Sequence, residues 1–294
     1  MNDTFVWGGL SCVAALTVAG MVLISEYQNQ PTVPRLFWLR VISLAVLAPL
    51  GFYIQWPSNP HFYIGMVAIS VLICGSDALY YDAAKQYGAG ATTRIEPLSV
   101  LMTFVAWLWL KPEQLALYTQ RPAIGLGIAA CFVVAGVCAL RLRHCDVSLK
   151  AMKRLAPVIG ISAAVGVLGK MVMDTGDVPF DTAIAYIIIQ CSFLIVFYGA
   201  MAALWPARTG SLRPHRGLLF SAGAMAVCSV LHIGSKNMAY TYVPNPAYIT
   251  IICLAAPLIV SAVYRLTGRQ DDTDYMAGFG IVASAVALLA LTRF

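Results

Sequence analysis

The sequence predicts an all-α polytopic membrane protein with ten transmembrane helices, arranged as two inverted five-helix repeats. Three observations carry the expectation: ten long apolar stretches, basic residues concentrated in alternate connections, and short matched stretches in the two halves. Hydrophobic residues make up 60% of the chain and charged ones 11%, against about 45–50% apolar usage in a soluble domain. The mean hydropathy of +0.78 excludes an ordinary soluble fold.

A spanning helix needs about 20 mostly apolar residues. Reading along the chain gives spans near 5–24, 36–56, 62–83, 88–110, 122–140, 155–174, 180–205, 217–239, 246–265 and 275–292. These runs carry Gly and Ala throughout, whereas a barrel strand would show about ten residues of alternating polarity. The opening Met1-Asn2-Asp3-Thr4 lacks the basic start of a signal peptide, and no small-residue cleavage site precedes Glu26. The first stretch is therefore expected to stay as a span. Eight cysteines fall almost all inside spans without CxxC spacing. They read as small packing residues, with no metal, cofactor or disulfide framework expected.

The net charge of +6 is unevenly placed. Connections after odd-numbered spans hold Arg35, Arg40, Lys85, Arg141, Arg143, Lys150, Lys153, Arg154, Arg208, Arg213, Arg216, Arg265 and Arg269, while the others hold Lys111, Arg121 and Arg293. Basic residues in short loops mark the cytoplasmic face. The bias puts both termini outside and the basic loops in the cytoplasm, in a multi-pass protein of the cytoplasmic (inner) membrane. Topology thus accounts for the basic stretches, and no nucleic-acid partner is expected.

Two halves, 1–143 and 155–294, flank a basic connecting loop over 144–154. Gly75-Ser76-Asp77 through Tyr81 matches Gly234-Ser235-Lys236 through Tyr240, and Glu96-Pro97-Leu98 matches Ala256-Pro257-Leu258 one residue out of step. Met21-Val22 matches Met171-Val172, and Arg40 falls opposite Gln190. Five spans per half make the second copy enter the membrane upside down. Inverted repeats of this kind place a substrate site near the midplane where the halves meet.

The stretch Gly88-Ala-Gly-Ala-Thr-Thr-Arg94-Ile-Glu96-Pro97-Leu98, followed by a run to Leu110-Lys111-Pro112-Glu113, resembles the fourth helix of the drug/metabolite transporter superfamily in its ten-helix EamA-type branch. Pro257-Leu258 resembles the second copy of that motif, and Arg40 after Pro34 resembles a frequent family arginine. The resemblance covers nearly the whole chain and implies export or uptake of metabolites. Two features depart from the pattern. The ninth span ends in Leu266-Thr-Gly-Arg269 instead of an acidic turn, and the charge bias puts the termini outside where the family more often has them inside.

A charge in hydrocarbon costs at least about 2.5 kcal/mol, so such residues usually face a cavity or a partner. Helical residues four apart share a face. Asp77, Tyr81 and Lys85 make one stripe on the third span, and His232, Lys236 and Tyr240 another on the eighth, with Asn237 adjacent. The repeat makes Asp77 and Lys236 equivalent and brings an acid and a base to one central region. They either contact ligand or pair with each other to hold the halves together. Arg94 reads as a counter-charge for an anionic group and Glu96 as a cation or proton site; the alternative is two helix-end charges reaching the interface. Pro97 and Pro257 read as helix breaks.

Lys170 and Asp174 read as an i,i+4 ion pair at a helix end. His232 is a coupling or proton site if it titrates, or else a packed polar residue. Trp7, Trp38, Trp56, Trp107, Trp109 and Trp205 sit mostly near span ends, where interfacial anchoring is the default. Tyr80, Tyr81, Tyr87, Tyr186, Tyr240, Tyr242 and Tyr248 are the better cavity-lining candidates. The acidic Gln270-Asp-Asp-Thr-Asp274 lacks a second acidic motif and reads as a solvated turn.

The function expected is secondary active transport of a small polar or charged metabolite, amino-acid-like or another organic ion, by alternating access. No GxxxxGK[ST] motif is present, so ATP is not the direct energy source. Proton coupling through Glu96 or Asp77 and exchange of metabolites both stay open, as do a monomer and a homodimer. The alternatives are a flippase for a lipid-linked or phosphorylated head group and, in another class, an integral-membrane lipid-modifying transferase. No convincing nucleophile or carboxylate motif supports an enzyme.

Overall fold

The computed structural model describes residues 3–28, 30–93, 97–141, 149–268 and 275–291. Among these, all regular structure is helical. The helices are α1 (Asp3–Tyr27), α2 (Thr32–Leu47, continued by the 3-10 turn Ala48–Phe52), α3 (Pro60–Tyr87), α4 (Ala89–Thr93), α5 (Pro97–Leu110), α6 (Pro112–Gln120) and α7 (Pro122–Arg141). They continue as α8 (Leu149–Met173), α9 (Pro179–Leu204), α10 (Pro206–Thr209), α11 (Arg216–Tyr240), α12 (Ala247–Cys253), α13 (Ala256–Leu266) and α14 (Tyr275–Leu291). Among the described residues, seven helical stretches are long and apolar enough to cross a membrane: α1, Thr32–Phe52, α3, Leu155–Met173, α9, α11 and Ala247–Leu266. Three shorter apolar helices, Ser99–Leu110, Pro122–Cys138 and Phe279–Leu288, accompany them.

Proline sets many of the starts. It opens α3, α5, α6, α7, α9 and α10, where its missing N–H costs nothing and its fixed φ suits the first turn. Asn59 caps α3 by accepting from His61 N at 3.0 Å. Gly88 ends α3 with φ +87, a left-handed conformation that costs glycine little. The expected break at Pro257 lies immediately ahead of it: α12 stops at Cys253 and α13 starts at Ala256. Pro257 has no N–H to offer the carbonyl of Cys253. At the other expected break, α5 starts at Pro97; Arg94 and Glu96 lie outside the described residues. The connecting loop is shorter than the sequence suggests, because α8 begins at Leu149 and takes Leu149 to Arg154 into helix.

The most extensive packing joins early helices to late ones: α1 with α11, α2 with α9, α3 with α8 and α7 with α14. Each pair is antiparallel. Ala14 meets His232 while Ser25 meets Met225; Gly127 lies against Leu291 while Gly280 lies against Cys138. Small residues permit this closeness, as in membrane helix packing generally. A Cβ at Gly65 would sit 2.4 Å from Val172 Cγ2, and one at Gly280 2.4 Å from Cys138 Sγ.

Two large apolar clusters dominate the described core, beside a small third one of Ala83, Leu155 and Val158. The first gathers Trp7, Phe62, Met66, Phe132, Tyr186 and Tyr248 toward the end that carries the α2–α3 and α8–α9 turns. The other gathers Leu36, Leu39, Tyr198, Met225 and Val260 toward the opposite end, which also carries Lys85, Arg208, Arg213, Arg216 and Arg265. The outer faces expose Ile64, Val71, Val105, Leu126, Val196, Phe220 and Phe279. So much contiguous apolar surface would be a liability in water and is what a hydrocarbon solvent demands.

Candidate functional site: a polar cavity between two apolar clusters

Between the two large clusters lies a cavity of about 190 Å³, walled by α1, α2, α3, α5, α8, α9, α11 and α12. Of the residues singled out in sequence, Asp77, Tyr81, His232, Lys236, Asn237 and Tyr240 all line it. Lys85, the third member of the α3 stripe, is not on this wall; its Nζ donates to Gln30 O at 3.3 Å. Tyr80 and Tyr186 line the cavity too, whereas Tyr248 is buried in the first cluster and Tyr242 lies at the surface.

Asp77 does not pair with Lys236. Its Oδ2 accepts from Arg40 Nη2 at 2.7 Å, and Arg40 Nη1 donates to Ser229 Oγ at 3.1 Å. One guanidinium on α2 thereby ties α3 to α11. The Arg40 side chain is 5% exposed and that of Asp77 22%, its surface open to the cavity. The sequence reading placed Arg40 and Arg35 among the loop charges. Both lie inside α2 and are buried; a basic residue near a helix start looks the same in sequence whether it sits in the loop or one turn inside. Arg35 Nη1 donates to Gln28 O at 3.4 Å. The charge asymmetry survives their removal, with Lys85, Arg141, Arg208, Arg213, Arg216 and Arg265 at one end and Lys111 and Arg121 at the other.

Lys236 Nζ stands 6.0 Å from the centroid of the Tyr240 ring, at the outer reach of a cation–π contact. His232 Nδ1 is 2.9 Å from Ala14 O. A carbonyl only accepts, so Nδ1 carries the hydrogen and Nε2 remains the acceptor of the neutral ring. Tyr81 OH donates to Met21 Sδ at 3.4 Å. Gln190, matched to Arg40 by the repeat but not singled out as a site residue, lines the cavity and is 1% exposed. A smaller hollow of about 20 Å³ adjoins through Tyr80, Ser99, Val158 and Ser162 and continues along Thr92 and Leu155. Pro257, packed in α13, stands off the cavity, whereas Thr250 and Cys253 of α12, ahead of the break, line it.

Lys170 forms the expected i,i+4 bond, Nζ to Asp174 Oδ1 at 2.5 Å, away from the cavity wall. The tryptophans divide. Trp109 and Trp205 are exposed, but Trp7 and Trp107 are buried, and Trp107 Nε1 donates to Pro244 O at 2.8 Å. Distance from a helix end does not say which face a residue occupies. Among the described residues, no three His, Cys, Asp or Glu side chains gather as metal ligands.

The fold and the cavity define an all-helical bundle of membrane-spanning character with a chamber between its two large apolar clusters, lined by charged, polar and apolar residues. No family model matches the chain, and no curated protein matches it. A crystal structure is similar over 100% of this chain and 99% of its own, with a TM-score of 0.66 and 15% identity. At that identity the likeness speaks for the fold alone.

Proposed function

We propose that this chain is a secondary active transporter of the cytoplasmic membrane that moves a small polar or charged metabolite by alternating access. On this reading it has ten transmembrane helices in two inverted repeats, as in EamA-type members of the drug/metabolite transporter superfamily. The observation that carries the reading is the cavity. Two of the repeat-matched pairs, Arg40 with Gln190 and Asp77 with Lys236, converge on one chamber between the two large apolar clusters. Inverted-repeat carriers hold their substrate near the midplane where the two repeats meet.

The packing supports the repeat. Exchanging α1 for α8, α2 for α9, α3 for α11, α4 and α5 for α12 and α13, and α7 for α14 turns the α1–α11 contact into α8–α3. The α2–α9 and α7–α14 contacts map onto themselves, and α5–α8 maps onto the contacts of α12 and α13 with α1. Every one of these contacts is present. A pseudo-twofold axis in the membrane plane also requires the self-mapping pairs to be antiparallel, as they are. The basic end is then cytoplasmic, and the small hollow beside Thr92 and Leu155 leads from the chamber toward it. Coupling belongs to Asp77 or His232 if protons drive the cycle; metabolite exchange needs neither.

Counterflow in proteoliposomes loaded with a metabolite mixture tests the proposal. The expected result is solute accumulation that falls at least tenfold in Lys236→Ala protein that keeps the wild-type unfolding midpoint. Chemical conversion without movement would instead mark a transferase, and movement confined to lipid a flippase. Cytoplasmic activity of a reporter fused after Phe294 would overturn the assigned orientation.

A further inference from the structure

Two primary carboxamides stand on the cavity wall, Gln190 of α9 and Asn237 of α11, 1% and 3% exposed. Gln190 Oε1 and Asn237 Nδ2 are sealed from bulk solvent and have no hydrogen-bond partner. An orphaned buried polar atom is expensive, and native proteins rarely keep one without a use. Here an acceptor and a donor without partners belong to two side chains on the wall of the same chamber. Of the three charged wall groups, Arg40 and Asp77 are paired with one another, and Lys236 stands by the Tyr240 ring.

We propose that Gln190 and Asn237 form the recognition subsite of the cavity, and that they select a compact planar solute bearing an uncharged carboxamide, lactam or ureide edge. Such an edge carries an N–H donor beside a C=O acceptor, the complement of a carboxamide side chain. The buried side chains of Tyr81, Tyr186 and Tyr240 line the same chamber and add aromatic surface to its wall. Size fits as well. A cavity of about 150 Å³ holds a benzene molecule, so about 190 Å³ takes a benzene-sized ring with one planar substituent. This assignment rests on reading the cavity as a transport site and narrows what that site accepts.

Benzamide, benzoate and benzamidine are isosteric probes that separate the chemistries. The first offers donor and acceptor, the second acceptors with negative charge, the third donors with positive charge. Thermal unfolding of the full chain in detergent micelles, titrated with each, reads binding as a saturable rise in apparent Tm. Benzamide is expected to give the largest rise at equal concentration. Gln190→Leu and Asn237→Leu should each weaken benzamide about tenfold, or about 1.4 kcal/mol. The ligand-free Tm of Gln190→Leu should not fall, because an apolar group of similar size replaces an unsatisfied polar one. Should the leucine variant misfold, Gln190→Glu keeps the volume and removes the donor, and its preference should move from benzamide to benzamidine.

A benzoate preference, or a benzamide response unchanged in both leucine variants, would overturn the assignment. No response to benzamide would mean that the amides hold water only and would overturn it too. Binding in micelles does not require movement across a bilayer. Benzamide binding without counterflow of any solute would leave the subsite standing and remove the transport reading. Counterflow of other solutes without benzamide binding would do the reverse.

Discussion

Removing either member of the Arg40–Asp77 pair should destabilise the protein strongly, and removing both should not. Breaking a buried ion pair from one side costs about 3–5 kcal/mol, because a charge is left without its partner in a poor solvent. The two sides are unequal here. Asp77→Leu strands Arg40, whose side chain is 5% exposed and keeps the neutral Ser229 hydroxyl but loses its carboxylate; this change belongs at the upper end, about 5 kcal/mol. Arg40→Met strands Asp77, whose carboxylate is 22% exposed and opens onto the cavity. Residual hydration there puts the loss at about 3 kcal/mol. The double variant replaces the pair by apolar groups of similar length and should lie within about 1 kcal/mol of wild type. Unfolding midpoints in mixed detergent micelles at rising SDS fraction measure all three, and the double-mutant cycle isolates the coupling. Additive losses, or a smaller loss for Asp77→Leu than for Arg40→Met, would refute the assigned roles.

The other expectations are more local. Gly65→Ala forces a methyl to within 2.4 Å of Val172 Cγ2 and should cost about 1–3 kcal/mol by overpacking; Val172→Ala should restore the SDS midpoint, and failure of that rescue would sink the steric account. Tyr264→Phe removes the hydroxyl that donates to Glu26, whose carboxylate also accepts from Ala89 N. A hydrogen bond to a charged group is worth about 1.5–3 kcal/mol, and native-state proteolysis should show the α4 region opening more readily. Lys170→Met breaks the α8 ion pair and should leave counterflow at wild-type level, since the pair stands off the cavity; a loss of transport in a normally folded variant would contradict its structural role.

Much of this architecture was legible because membrane helices advertise themselves. Length and hydropathy suffice to place an apolar run such as 180–205, and the observed helix Pro179–Leu204 falls within a residue of it. The stripe rule was enough to put Asp77 and Lys236 on a common wall. What sequence could not deliver was partnership. Asp77 chooses Arg40 because α2 and α11 pack beside α3, and neighbourhood among ten apolar stretches leaves no trace in spacing. Arg40 was overlooked as a wall residue because a basic side chain near a span start already had an explanation in topology. Gln190 carried no charge to draw attention, although its match with Arg40 was the signal that could have found it. Trp7 and Trp107 show the same gap, since depth along a helix is readable and the face is not.

The pairing of early helices with late ones has a consequence for how the protein is made. When α7 has left the ribosome, the partners that cover α1, α2, α3 and α7 have yet to be synthesised. The first part of the chain must wait with its packing surfaces against lipid or an insertion factor. Arg40 and Asp77 both belong to this waiting part, so the guanidinium and the carboxylate can neutralise each other before α11 arrives with Ser229. The ion pair thereby serves assembly before it serves the cavity. It lets two charged residues reside in a bilayer during the interval when no finished interior exists to hold them.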